Sequence, residues 1–287
     1  MNHLFVFLLS LALAGLPRVY AQDFDRTRAG AAPTQVSADT SLTPEVLGGL
    51  GLVSYREGLL ARHPNQAADW LDAPLKSQVE EGDRVRTGPE GRAEIEFQAH
   101  NVLRLAPSTT LRLDRLAQEE QDAALRVDLN LESGELWAEL NGLEEEDEFS
   151  VGSKVMGAAI TGTGLRISVN EQQETILAVL HGEVRVAADR EALRTPHPEL
   201  TVDSLQSLLK PVMPRAVKGA PVPVGGPVPV AGPHPVSLRE WLVIVKSKQE
   251  IRIGADGRVH AAGVMTQTGD PEWIRWNQER NQSAPRP

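Results

Sequence analysis

The chain has 287 residues, no cysteine, and 39 acidic against 29 basic side chains, a formal net charge of −10. Without thiols there is no disulfide, no cysteine nucleophile and no thiolate metal site. The acidic balance argues against nucleic acid or anionic lipid as a general partner, because both need clustered Lys and Arg.

Leu4 to Leu16 is an apolar run of secretory length, followed by Pro17 and the small-residue pattern Val19-Tyr20-Ala21. Residues 1–21 therefore read as an export signal and the protein as periplasmic. Asn2 and His3 stand where Lys or Arg is usual, which leaves an uncleaved N-terminal membrane anchor as the alternative. Cleavage after Ala21 removes Arg18 and leaves 28 basic against 39 acidic residues. No later stretch has the ~20 apolar residues that a membrane span needs. Residues 22–50, rich in Ala, Thr, Ser, Asp, Gly and Pro, carry too few large apolar side chains to repay ordering and read as a flexible segment.

Leu52 to Arg62 holds two apolar segments around Glu57-Gly58, read as a hairpin, and Trp70 reads as a plug for the end of a sheet. From Gly82 to Val186 one phrase recurs: a glycine with a charged neighbour, then alternating residues. It occurs at Gly82-Asp83-Arg84-Val85, Gly91-Arg92-Ala93-Glu94-Ile95-Glu96-Phe97, Gly134-Glu135-Leu136-Trp137-Ala138 and Gly182-Glu183-Val184-Arg185-Val186. In the second copy Ala93, Ile95 and Phe97 share a dry face while Arg92, Glu94 and Glu96 share a wet one. Strands are predicted near 83–87, 92–97, 102–106, 109–114, 124–131, 135–140, 148–151, 159–161, 164–170, 174–180 and 183–187. Ile176 to Leu180, apolar throughout, predicts a strand covered on both faces. The fold class is all-β, with sandwich, barrel and short solenoid left open, since periodicity does not choose among them. The β domain spans residues 51–190.

Residues 195–237 turn to proline, valine and glycine, as in Pro221-Val222-Pro223-Val224-Gly225-Gly226, and predict an extended linker at ~3.1 Å per residue. Residues 238–282 then read as a small C-terminal unit, a β segment plus a short helix after Asp270-Pro271 with Trp273 and Trp276 on one face.

Six of these segments, in order, resemble the FecR domain: Gly82-Asp83-Arg84-Val85-Arg86-Thr87-Gly88, Gly91-Arg92-Ala93-Glu94-Ile95, Leu103-Arg104-Leu105-Ala106-Pro107-Ser108-Thr109, Ser133-Gly134-Glu135-Leu136, Thr161-Gly162-Thr163-Gly164-Leu165-Arg166-Ile167 and Leu180-His181-Gly182-Glu183-Val184. The resemblance covers about Gly51 to Ala188. It implies a periplasmic all-β domain of the kind found in membrane regulators that relay the state of an outer-membrane iron-siderophore receptor to a cytoplasmic sigma factor. Those regulators carry an anti-sigma segment before a membrane span, whereas here a leader precedes the domain. Fold and compartment are thus expected to carry over further than iron signalling.

Catalytic and metal motifs are weak. Ser207-Leu208-Leu209-Lys210 has the S-x-x-K spacing without its partner motifs, and the histidines are scattered singly. Glu144 to Glu148 is a continuous acidic block rather than spaced cation ligands, and Thr161-Gly162-Thr163-Gly164 leads into a strand, not a helix. Glu94 and Glu96 on an outer strand face leave an envelope hydrolase as a remote reading. The expectation is a non-enzymatic module without cofactor or metal, with an envelope protein as partner. The alternative is peptidoglycan glycan stacked on Trp241, Trp273 and Trp276, against which stands packing of those rings in a small core.

Overall fold

The computed structural model describes residues 51–97, 101–118, 124–141, 143–209, 238, 242–266 and 269–283. The expectations for residues 1–50, for Trp241 and for most of the proline-rich stretch lie outside these residues. The strands are β1 (Gly51–Glu57), β2 (Leu60–His63), β3 (Leu71–Asp72), β4 (Gln78–Val79), β5 (Arg84–Thr87), β6 (Arg92–Phe97), β7 (Asn101–Leu105), β8 (Thr110–Gln118) and β9 (Leu125–Glu139). There follow β10 (Glu148–Gly152), β11 (Gly157–Ile160), β12 (Gly164–Val169), β13 (Thr175–His181), β14 (Glu183–Ala187), helix α1 (Arg190–Arg194), β15 (Glu199–Thr201) and helix α2 (Val202–Leu209). The chain closes with β16 (Leu242–Lys246), β17 (Gln249–Ile253), β18 (Val259–Val264) and helix α3 (Pro271–Ser283).

The strands form two sheets that enclose one core, so of the three all-β architectures the chain adopts the sandwich. The first sheet runs β4-β1-β6-β7-β9-β12-β13-β17-β18, antiparallel throughout. The second runs β3-β2-β5-β8-β9-β10-β11-β14-β16-β15, with β9–β10 and β16–β15 parallel. Alternation supplies the inner faces: Leu103, Leu105, Leu111, Leu113, Leu129 and Leu131 are all fully buried. Each such side chain contributes about 1.5–3 kcal/mol relative to exposure.

The two strands predicted at 124–131 and 135–140 are one 15-residue strand, β9, whose first half lies in the second sheet and whose last half lies in the first. The bend falls at Gly134, where φ is +90° and a Cβ would come within 2.5 Å of the Thr109 backbone. Only glycine fits both conditions. Gly182, with φ +86°, likewise passes β13 of the first sheet into β14 of the second. The repeated glycine thus marks crossings between sheets as well as turns.

Three expectations are corrected. The segments around Glu57-Gly58 are not a hairpin: β1 pairs with β4 and β6, whereas β2 pairs with β3 and β5, because the chain changes sheets there. The linker expected from residue 195 is structured up to Leu209, since Val202 and Leu205, three apart on α2, are buried in the main core. The C-terminal β segment is no free-standing sheet: β16 pairs with β14, β17 with β13, and Val243, Val245, Ile251 and Ile253 enter that same core. Trp70 lies half-buried beside the second sheet, with the Arg86 guanidinium 4.1 Å from its ring centroid.

Candidate protein-interaction site

Register puts one row of residues side by side across the outer face of the first sheet. Tyr55 opposes Glu94, Glu94 opposes Arg104, Arg104 opposes Trp137, and Trp137 opposes Arg166. The alternation in β6 correctly turns Glu94 away from the core, yet Glu94, Arg104, Trp137, Glu139 and Arg166 are all buried. The cause is α3, which lies over this face.

Helix α3 starts as its sequence predicts. Asp270 Oδ1 accepts a hydrogen bond from the Glu272 backbone N–H at 2.9 Å, and Pro271 occupies the first helical position, where its missing N–H costs nothing. Trp273, Trp276, Asn277, Arg280 and Asn281 follow spacings of three and four and share the face turned to the sheet. Trp273 is 1% exposed and packs with Ala106 and Trp137 in a cluster separate from the main core. Trp276 stacks on Trp273 at 5.1 Å between centroids and tilts against Tyr55 at 5.4 Å, and the Arg280 guanidinium sits 4.4 Å above the Tyr55 ring.

Around these rings runs a hydrogen-bonded charge network. Glu94 Oε2 accepts from Arg104 Nε at 2.7 Å and from Arg280 Nε at 2.9 Å. Its Oε1 accepts from the second Arg280 nitrogen at 2.8 Å and from the Ser54 hydroxyl at 2.9 Å. Burial alone would raise the Glu94 carboxyl, but the hydrogen bonds and charges of Arg280 and Arg104 outweigh it and hold the pKa at about 2. Arg104 continues to Asn281 Oδ1 at 2.5 Å. Asn281 Nδ2 and the Trp137 indole N–H both donate to Glu139 Oε1, at 2.5 and 2.8 Å. His181 Nδ1 accepts from the Gly164 backbone N–H, which leaves Nε2–H to donate to Glu139 Oε2 at 3.0 Å. At the rim Arg92 pairs with Glu272 at 2.5 Å.

At the N-terminal end of α3 a cleft of about 310 Å³ opens between Ala106, Pro107, Gly134, Glu135, Asp270 and Trp273. Burial pushes the Glu135 carboxyl above its ordinary pKa; Arg166 at 3.7 Å and the Trp273 indole pull it down, and Asp270 adds to the rise.

Of the three sequence-predicted site tryptophans, Trp273 and Trp276 are brought together on the sheet-facing side of α3, and Trp241 lies outside the described residues. Glu94 and Glu96 do not form an open carboxylate pair, since Glu94 is bound by two guanidiniums. Sequence reasoning missed Arg104, Glu139, His181, Asn277, Arg280 and Asn281. The available signal was polar: Asn277, Arg280 and Asn281 continue the Trp273-Trp276 face at helical spacing.

Residues 83–185 match the model of the family described as FecR protein. No curated protein matches the chain. Two crystal structures of a candidate anti-sigma factor from Parabacteroides distasonis, at 1.65 and 2.50 Å resolution, align with 67% of this chain at 11% identity. The TM-scores are 0.40 and 0.39, and the alignments cover 64% and 63% of that protein.

Proposed function

We propose, from the match of residues 83–185 to the FecR family model, that the protein is a non-enzymatic sensing and protein-interaction module of the cell envelope, acting in signal transduction. One observation carries the reading. A helix from outside the matched residues, α3, is latched onto the domain's own sheet through Glu94, Arg104 and Arg280. A face closed by polar, charge-assisted contacts is built like an interface rather than like a core.

The carboxylates on this face are committed to structure. Glu94, held near a pKa of 2, is a poor proton donor at neutral pH, and Glu139 accepts from Trp137, Asn281 and His181. This supports a binding role over hydrolysis. The leader at residues 1–21 directs the protein to the periplasm in this reading, with an envelope protein as its partner. Iron-linked relay to a sigma factor is the family's known setting and is one form the signalling can take.

Crosslinking in intact cells followed by capture of the chain tests the proposal: an envelope protein recovered above background supports it. Retention on isolated cell-wall sacculi with no protein captured would replace it with the glycan reading. Stacking on glycan needs open ring faces, and Trp273, 1% exposed, offers none while α3 stays docked. Fractionation with N-terminal sequencing checks the export and the cleavage after Ala21.

A further inference from the structure

The main core is complete without α3. Its buried residues come from the strands and their connections, from α2 and from Leu238, and the two α3 tryptophans belong to a separate cluster with Ala106, Trp137 and Leu180. The sheet face beneath α3 also keeps its own order without the helix. Glu94 retains Arg104 and Ser54, and Glu139 retains Trp137 and His181. What α3 adds is a second guanidinium. Without Arg280 the Glu94 carboxylate loses the fork of two N–H donors on Oε1 and Oε2 and keeps one donor on each oxygen, Ser54 and Arg104. A buried carboxylate with both oxygens open to a further donor beside the Tyr55 ring favours an occupant that brings a guanidinium to Glu94.

We propose that this face is a helix-binding seat and that α3 is its resident, exchangeable ligand. The partner is a helix of another protein that repeats the α3 face: two aromatic side chains three residues apart, an asparagine next, and an arginine four residues beyond the second aromatic. The aromatics fill the place of Trp273 and Trp276 against Trp137 and Tyr55, and the arginine forks onto Glu94 over the Tyr55 ring. Docking such a helix releases α3, so the position of α3 reports whether the partner is bound. This deepens the interaction-module reading and rests on it.

The test uses the full chain and a fluorescein-labelled peptide of residues 269–283. In the variant Trp276→Ala/Arg280→Ala the resident is weakened while every strand residue of the seat is unchanged. The peptide is expected to bind this variant about tenfold or more tightly than wild type, since competition from the resident is reduced. Binding should fall back when Glu94→Gln is added, or when the peptide carries Arg280→Glu. Hydrogen exchange establishes first that α3 amides, and not the strands, have become labile in the variant. A variant with labile α3 and intact strands that fails to bind the peptide overturns the proposal, as does binding indifferent to Glu94. Light scattering that finds a dimer exchanging α3 between copies overturns the assignment to another protein's helix. Because envelope crosslinking is read separately, loss of peptide binding with capture retained sinks the seat and leaves the interaction-module reading standing.

Discussion

Replacing Glu94 by Gln should cut the latch at its centre, and the size of the effect follows from one carboxyl. Its pKa drops from 4.5 to about 2 on folding, and at 1.36 kcal/mol per unit this is worth about 3 kcal/mol of stability. The side chain is 10% exposed, so solvent screens little of it. Since the folded pKa is the lower one, the contribution is fully present above pH 4.5 and is lost as pH falls through about 2. Glu94→Gln should therefore be destabilised by about 3 kcal/mol at pH 7 and should converge with wild type towards pH 2. Only the Arg280 share of this is lost when α3 undocks, since Glu94 keeps Arg104, so α3 amides should exchange about tenfold or more faster while β6, β7 and β9 stay protected, because 1.4 kcal/mol is a factor of ten. Hydrogen exchange by mass spectrometry reads this at each pH, with Glu171→Gln in an exposed turn as the control. Parallel behaviour of Glu94→Gln and wild type from pH 5 to pH 2 would refute the reasoning.

Trp273→Ala should cost about 3 kcal/mol of helix docking, as for other buried large-to-small changes; the β signal in circular dichroism should persist, and sacculus pull-down should not change. Gly134→Ala places a Cβ against the Thr109 backbone at φ +90° and should lower stability by about 2 kcal/mol or more in urea melts. Glu135→Gln should stabilise the protein at pH 7, because the fold raises this carboxyl and so penalises its charged form. That gain is complete above the raised folded pKa and disappears below 4.5, where both states are protonated, and thermal melts across pH measure it.

Most strands were legible because period-two alternation and glycine turns are local signals. Residues 92–97 coincide with β6 and 183–187 with β14. What the sequence conceals is which sheet a strand joins. A glycine bend looks the same whether the chain folds back, as assumed for Glu57-Gly58, or crosses over, as β9 does at Gly134. The site was half legible for a similar reason. Trp273 and Trp276 stand out at a spacing of three, and Asp270-Pro271 announces the helix start. The rest of the α3 face is Asn277, Arg280 and Asn281, which apolar periodicity scores as solvent. Glu94 and Arg104 likewise read as a wet face until residues 186 and 173 positions further along the chain cover them. Long-range pairing of polar side chains leaves no local trace.

The way β16 and β17 are built in bears on how the polypeptide could be divided. Their partners, β14 and β13, precede Leu209, and the intervening residues 210–237 separate the two groups only along the sequence. A break in that interval would yield two pieces, each missing strands that the other supplies. Co-expressed, they should reassemble through those backbone ladders, so the molecule is a natural candidate for a split reporter.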